Sequence, residues 1–385
     1  MPNFEVEKLM KRKLREHPII KILASDRITV ACLFWLFVLT FWGTIAQVEH
    51  GLYPAQERFF SSIVFLVWNF IPFPGARLVM WVFFINLLVS ATIRFEYNWK
   101  HFGLLVAHGG IFLLLISAFV TFHFAKESHV TLVEGEGTNV STAYHEWELA
   151  VWKEKGDKAD VIAYDANQLS TGEQLSFDEF PFTAVVTAYH LNCSAYGNTT
   201  VPRESILNAS GIAILKKEET NLDPVRNSPG VNLTIKSPSL PKDASLMLYG
   251  GEDVATPIDF GGQKYFFQLR YKRFPLPFAI RLKNFHMEKH PGTDVASTYE
   301  STIEVQAPTM TREALISMNN PFRHLDYTFY QASYAVDQLG REQSTLATVR
   351  NVGRVLPYVA TLTTFLGLLI HFVFMVRAYI RNGKV

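Results

Sequence analysis

Residues His101–Ala125, HFGLLVAHGGIFLLLISAFVTFHFA, hold no lysine, arginine, aspartate or glutamate, yet they hold three histidines, His101, His108 and His123. About 20 consecutive apolar residues cross a bilayer as a helix. An imidazole inside such a span is costly in hydrocarbon and marks a functional site by default. The rest of the chain is read outward from this segment.

Upstream, Ile28–Gln47 is a second uncharged apolar run. It is too long and too bulky for the core of a cleavable signal peptide. Lys8, Lys11, Arg12, Lys13, Arg15, Lys21 and Arg27 precede it, and such a basic flank predicts a helix that starts in the cytoplasm. Phe59–Ile71 is apolar but short, and runs into the sequence PFPG. It predicts an interfacial or re-entrant segment over 59–74; were it to span, every later helix would reverse. Leu78–Ile93 predicts the second span, with Arg77 snorkelling at its start. The loop Arg94–Lys100 is basic and aromatic, which suits the cytoplasmic side, and His101–Ala125 then runs outward as the third span. Val355–Val376 predicts the fourth, and Arg377, Arg381 and Lys384 follow it.

The intervening stretch, 126–354, reads mostly as strands. Alternating or β-rich runs occur at His129–Val133, Trp147–Trp152, Thr183–Tyr189, Lys264–Arg270, Phe278–Phe285, Thr298–Val305, Tyr327–Tyr334 and Ser344–Arg350. Asn192–Pro241 is polar and turn-rich and reads as a long excursion. The expected fold is an integral membrane protein: about four transmembrane α-helices and a large, mainly β, sandwich-like external domain inserted between helices three and four. The expected divisions are a basic cytoplasmic N-terminus at 1–27, the first three helices within 28–125, the external domain at 126–354, the fourth helix at 355–376 and a cytoplasmic tail at 377–385.

The net charge of +1 implies neither an acidic nor a basic partner, nucleic acid included. With two cysteines, Cys32 and Cys193, and Cys32 inside an apolar run, the β region has neither a disulfide framework nor a CxxC redox pair. A CxxCH heme-attachment motif is absent, as are HExxH, GxSxG, Walker and GxGxxG motifs. His286 and His290 stand four apart, but on a strand-like stretch where that spacing does not converge on a metal, so a solvated edge is the expectation. The N-x-S/T sequons at Asn139, Asn192, Asn198, Asn208 and Asn232 are expected to be chance occurrences in a Ser/Thr-rich region.

The membrane histidines carry the chemistry. His108 lies about 12 Å below the start of its helix, and His371 about 9 Å from the same face. Two imidazoles at similar depth on different helices suit the two axial positions of a heme iron. His101 cannot supply the second ligand, because it lies on the same helix about 10.5 Å away. Gly109 and Gly110 leave room for a flat macrocycle or for another backbone, with Gly103 on a neighbouring face. Each histidine also has a plainer reading. His108 and His371 can be hydrogen-bonded packing residues, and His101 and His123 can sit at the two interfaces.

Several phrases of the β region resemble the ResB/CcsB family: KRFPLPFAIRLKNF at 272–285, HPGTD at 290–294, YESTIEV at 299–305, ISMNNP at 316–321 and YTFYQASY at 327–334. AHGG at 107–110 resembles that family's third helix. The resemblance implies one subunit of the system II cytochrome c synthase, a heme lyase that is not autonomous. In such a complex heme b is cargo: it is taken from the inner face, moved through the membrane and joined by thioethers to the CxxCH of an apocytochrome c. The implied partners are a CcsA/ResC-type membrane subunit bearing a WWD segment and thiol-reducing thioredoxin-like proteins. The implied location is the inner (cytoplasmic) membrane, with the large domain on the periplasmic side. The seven tryptophans here are dispersed, so the chain resembles one half of the synthase. The role of membrane heme ligand, with heme iron as its metal, carries over to His108; His371 is added on depth alone. Strand addition of the apocytochrome to the strand bearing Tyr327, Tyr330 and Tyr334 is a further expectation. Two other functions remain open: a membrane electron-transfer subunit with resident heme b, and a non-catalytic anchor or assembly scaffold.

Overall fold

The computed structural model of the chain describes residues 17–68, 70–94, 99–156, 158–178, 180–197, 211–239, 243–293, 296–308, 310–337 and 339–381. Lys8, Lys11, Arg12, Lys13 and Arg15, most of the basic loop before His101, the sequons at Asn198 and Asn208, and Lys384 lie outside the described residues. The chain divides into two compact units, 1–125 together with 351–385, and 126–350.

The first unit is helical. Its long helices are α1 (Asp26–His50), α2 (Ala76–Val89), α3 (Phe102–Phe124) and α4 (Leu356–Arg381). All four are long and apolar enough to cross a membrane, α2 being extended to Ile93 by a π-helical turn. Between 11% and 22% of each most apolar window is buried, so the helices turn large apolar side chains such as Phe34, Phe37, Leu362 and Phe365 outward. Faces of that kind need a non-aqueous surround. Threonines inside the helices bond their own backbone, as Thr40 does to the Leu36 carbonyl and Thr364 to that of Ala360, which is how a hydroxyl is satisfied in an apolar surround.

Phe59–Ile71 forms no long helix. A π-helical turn (Gln56–Ser61) leads into an antiparallel hairpin of β1 (Val64–Val67) and β2 (Ile71–Pro74). Pro72 and Pro74 have no N–H to continue a helix. The apolar side chains are used locally instead. Phe59, Phe65 and Phe73 gather around Trp42 of α1, with centroids 5.3, 5.7 and 6.2 Å from it, and Trp35 Nε1 donates to the Pro74 carbonyl at 2.9 Å.

The second unit is built of strands: β3 (Lys126–Val133), β4 (Gly137–Lys155), β5 (Lys158–Asp165), β6 (Gln174–Ser176), β7 (Thr183–His190), β8 (Cys193–Gly197), β9 (Ile212–Lys217), β10 (Gly230–Lys236), β11 (Ala244–Tyr249), β12 (Thr256–Phe260), β13 (Gln263–Lys289), β14 (Ala296–Ala307), β15 (Met310–Ser317), β16 (Phe322–His324), β17 (Tyr327–Val336) and β18 (Glu342–Arg350). The main sheet runs β15-β14-β13-β4-β3-β18-β17-β16, with β12 also on β13 and β5 also on β4. A second sheet runs β11-β10-β7-β6, and β8 pairs with β9.

Two hydrophobic cores share the long strand β13. Tyr265, Phe267 and Leu269 enter one core, with Leu233 and Ile235 of β10. Leu276, Phe278, Ile280 and Leu282 enter the other, with Ile303 and Phe329. The first set is odd-numbered and the second even-numbered. Within each run alternate residues face one side, so β13 serves one core along its first part and the other along its second. Pro275 and Pro277 lie between the sets, and there the β13–β4 register jumps from Pro275/Val140 to Ile280/Thr138. Proline cannot donate to the ladder and is tolerated where pairing is interrupted. β4 bulges at 143–146, between its Thr142/Arg273 and Trp147/Tyr271 pairs.

The expected excursion at Asn192–Pro241 is corrected by the structure. β8, β9 and β10 fall within it, and β10 is an interior strand whose Val231, Leu233 and Ile235 are fully buried.

Candidate functional site

α3 and α4 pack antiparallel through a seam of small residues. A Cβ on Gly103 would collide with the His371 backbone, one on Gly110 with Thr364, and one on Gly367 with the Ala107 backbone. The seam therefore consists of Gly103, Ala107 and Gly110 against Ala360, Thr364, Gly367 and His371, at spacings of four and three residues on both helices. Close backbone approach through small residues is a usual means of joining membrane helices. Of the two adjacent glycines read as room for a macrocycle, Gly110 is occupied by α4, while a Cβ on Gly109 would meet nothing within 4 Å.

His108 follows Ala107 by one residue and lies about 100° round the helix from it. It is outside the seam. Its Nδ1 is 2.8 Å from the Leu104 carbonyl. A carbonyl oxygen only accepts, so Nδ1 carries the proton and Nε2 carries the lone pair. That is the tautomer in which a ligating histidine is oriented by a backbone carbonyl.

His371 is placed differently. Its backbone is level with Gly103, about 7.5 Å along α3 from His108, and its Nδ1 is buried without a hydrogen-bond partner. The structure thus sets His371 in the seam and His108 on another side of α3, and does not bring the two together. His101 is exposed at the start of α3. His123, near its end, is bonded as His108 is, Nδ1 to the Phe119 carbonyl at 3.0 Å.

One buried polar residue of the apolar helices is not among the candidates read from the sequence. Asn86 of α2 is 1% exposed. Its amide donates to the carbonyls of Leu23 and Ser25, and its Oδ1 accepts from Thr29. It ties the turn before α1 to α2, and an isolated Asn in the run Trp81–Val89 is the signal that would have found it.

In the β unit, Tyr327 is in the core. Tyr334 packs on Phe285 and Tyr299, and Tyr330 is exposed. β18 pairs along one side of β17; on the other, β16 pairs with Tyr327–Phe329 and Tyr299 donates to the Ala332 carbonyl. Ser301, Gln331 and Ser344 bond one another behind it. His286 is exposed, 3.8 Å from Glu288. No group of three or more metal-ligating side chains occurs among the described residues. Burial holds the imidazoles of His129 and His145 below the ordinary histidine range, with Asp223 and Glu127 pulling His145 the other way.

Comparison with known proteins bears on the second half of the chain. Protein NrfI of Wolinella succinogenes is 33% identical over 100 residues, a span covering 26% of this chain and 11% of that protein. Residues 245–378 match the ResB-like family. That match runs from β11 through α4 and takes in every strand of the second core but β3, so over this part, about a third of its length, the chain is similar to the ResB-like family.

Proposed function

We infer that this chain works in cytochrome c biogenesis, as the subunit that holds heme in the membrane on His108 and passes it outward for thioether attachment to the CxxCH of an apocytochrome c. The observation that carries the reading is the state of His108. It is an imidazole on an apolar helix, its Nδ1–H given to a carbonyl and its Nε2 left as the basic nitrogen. The similarity of residues 245–378 to the ResB-like family supports the pathway.

In this reading heme is cargo. His108 binds the iron and Gly109 leaves open space beside it, while the seam to α4 keeps α3 in place. The second axial nitrogen comes from outside the α3–α4 seam, and a WWD-bearing membrane subunit is its source. His371 serves only if α4 shifts on α3. The helices lie in the inner membrane with the β unit on the periplasmic side, where thioredoxin-like proteins keep the CxxCH thiols reduced. Attachment needs both thiols and both vinyl groups held in register, which is a matter of positioning.

The test is complementation of cells lacking this chain. Wild type should restore holocytochrome c and copurify with its partner carrying low-spin heme. His108→Ala should insert normally, lose most of that heme and mature little cytochrome. Full maturation by His108→Ala would sink the reading. Heme that cycles in place and never leaves with the product would point to an electron-transfer subunit.

A further inference from the structure

The first unit holds a cleft of about 330 Å³ between the first half of α2 and the second half of α3. That volume is at the small end of ligand sites, about 300–1,000 Å³. Aromatic side chains dominate its walls, among them Trp81 and Phe84 of α2 and Phe119 and Phe122 of α3. Two basic groups interrupt them, Arg77 and His123.

Neither group has a counter-charge among the described residues. Arg77 lies 5.5 Å over the Phe122 ring, and among the described residues no carboxylate pairs with it. His123 spends its Nδ1–H on the Phe119 carbonyl, with its ring 4.2 Å from that of Phe119. Its lone pair is therefore on Nε2, as in His108. The cleft thus combines an apolar aromatic slot, a cation for an anionic group and an imidazole nitrogen for a metal. A phospholipid or fatty acid uses the first two and leaves the imidazole idle. A metalloporphyrin carrying carboxylates uses all three.

His108 and His123 are fifteen residues apart on α3, about 22 Å along the axis and about 60° round it. They lie toward opposite ends of the helix and on one side of it.

We propose that this cleft is a second heme station on α3, with His123 ligating the iron and Arg77 pairing with a propionate. The proposal rests on heme being the cargo. α3 then carries a binding nitrogen near each end, and the chain itself keeps hold of heme on the outward side.

The test titrates hemin into the purified full chain in lipid nanodiscs and follows the Soret band. The background is His108→Ala, so that only the second station reports. Hemin should still bind there with an imidazole-ligated spectrum. Adding His123→Ala should weaken binding at least tenfold, while His123→Met should keep binding and move the Soret band to a thioether-ligated position. Arg77→Gln should weaken hemin severalfold and leave hemin dimethyl ester, which lacks the carboxylates, unchanged. An unaltered spectrum and affinity on adding His123→Ala overturns the station, and so does a copurified phospholipid that hemin fails to displace. Either result leaves the His108 reading intact if heme in the parent chain still depends on His108. Failure of the parent chain itself to bind hemin defeats both.

Discussion

His108 Nδ1 lies 2.8 Å from the carbonyl oxygen of Leu104, one turn back on the same helix. The bond fixes both the proton and the ring orientation. His108→Gly removes the ring and keeps the helix, so added imidazole should recover part of the lost heme and part of the holocytochrome yield. Unchanged heme in His108→Gly before any imidazole is added would show that another residue ligates.

The seam between α3 and α4 gives a contrast between neighbouring glycines. Gly110→Leu drives a side chain into Thr364 and the Ala360 carbonyl, and overpacking of this kind costs about 1–3 kcal/mol. Gly109→Ala enters open space and should be close to neutral for folding. Steady-state level and protease resistance of the full chain in membranes should fall for the first variant and hold for the second.

In the β unit, Arg270 Nε donates to Glu148 Oε1 at 2.9 Å, with side chains 11% and 5% exposed. Removing one partner of a buried pair leaves the other charge without compensation, at about 3–5 kcal/mol. Glu148→Ala should lower the thermal midpoint of the β unit, measured in the full chain, by several degrees or more. Glu148→Ala together with Arg270→Met should recover much of it.

The histidines of this unit set its acid limb. Burial lowers the folded-state pKa of His129 and His145, so the unfolded chain takes up protons first as pH falls. The stabilising contribution is complete above the ordinary histidine range. It decreases as pH drops through that range and is gone below the lowered folded-state values. Urea midpoints should fall from pH 7.5 toward pH 5, and His129→Phe should flatten the slope. A slope that ignores the substitution would assign the pH dependence elsewhere.

Cys193 is buried and its thiol is pushed up to about 11, by burial first and by Glu218 second. The thiolate is the reactive form. Alkylation at pH 7.5 should leave Cys193 unmodified until the β unit is unfolded, which intact-mass measurement would report. A thiol this inert takes no part in thiol exchange while the β unit is folded.

The strands were legible where period-two alternation lay between clear turn residues. The runs at Thr183–Tyr189 and Ser344–Arg350 both fall inside observed strands. β10 was hidden because VNLTI is short and lies among Pro, Asn and Ser residues that signal turns. β13 was read as two strands because Pro275 and Pro277 argue against a continuous ladder. The chain instead runs straight through and lets the register jump. The depth of His371 could be counted from sequence, but its direction could not, since depth fixes no azimuth. The matching spacings of Gly103, Ala107, Gly110 and Ala360, Thr364, Gly367 are the signal that would have paired α3 with α4. His123 read as an interfacial residue because Arg77 and the aromatic walls reach it only through tertiary packing.

The single strand that feeds both cores also shows where this protein can be divided. Every buried residue of the first core lies between Leu149 and Leu269, before Pro275, while those of the second are Val130, Leu132 and residues from Leu276 onward. The first lobe is thus one uninterrupted stretch of chain, entered along β4 and left along β13, and recombination at those two crossings could exchange it without taking a buried residue from its neighbour.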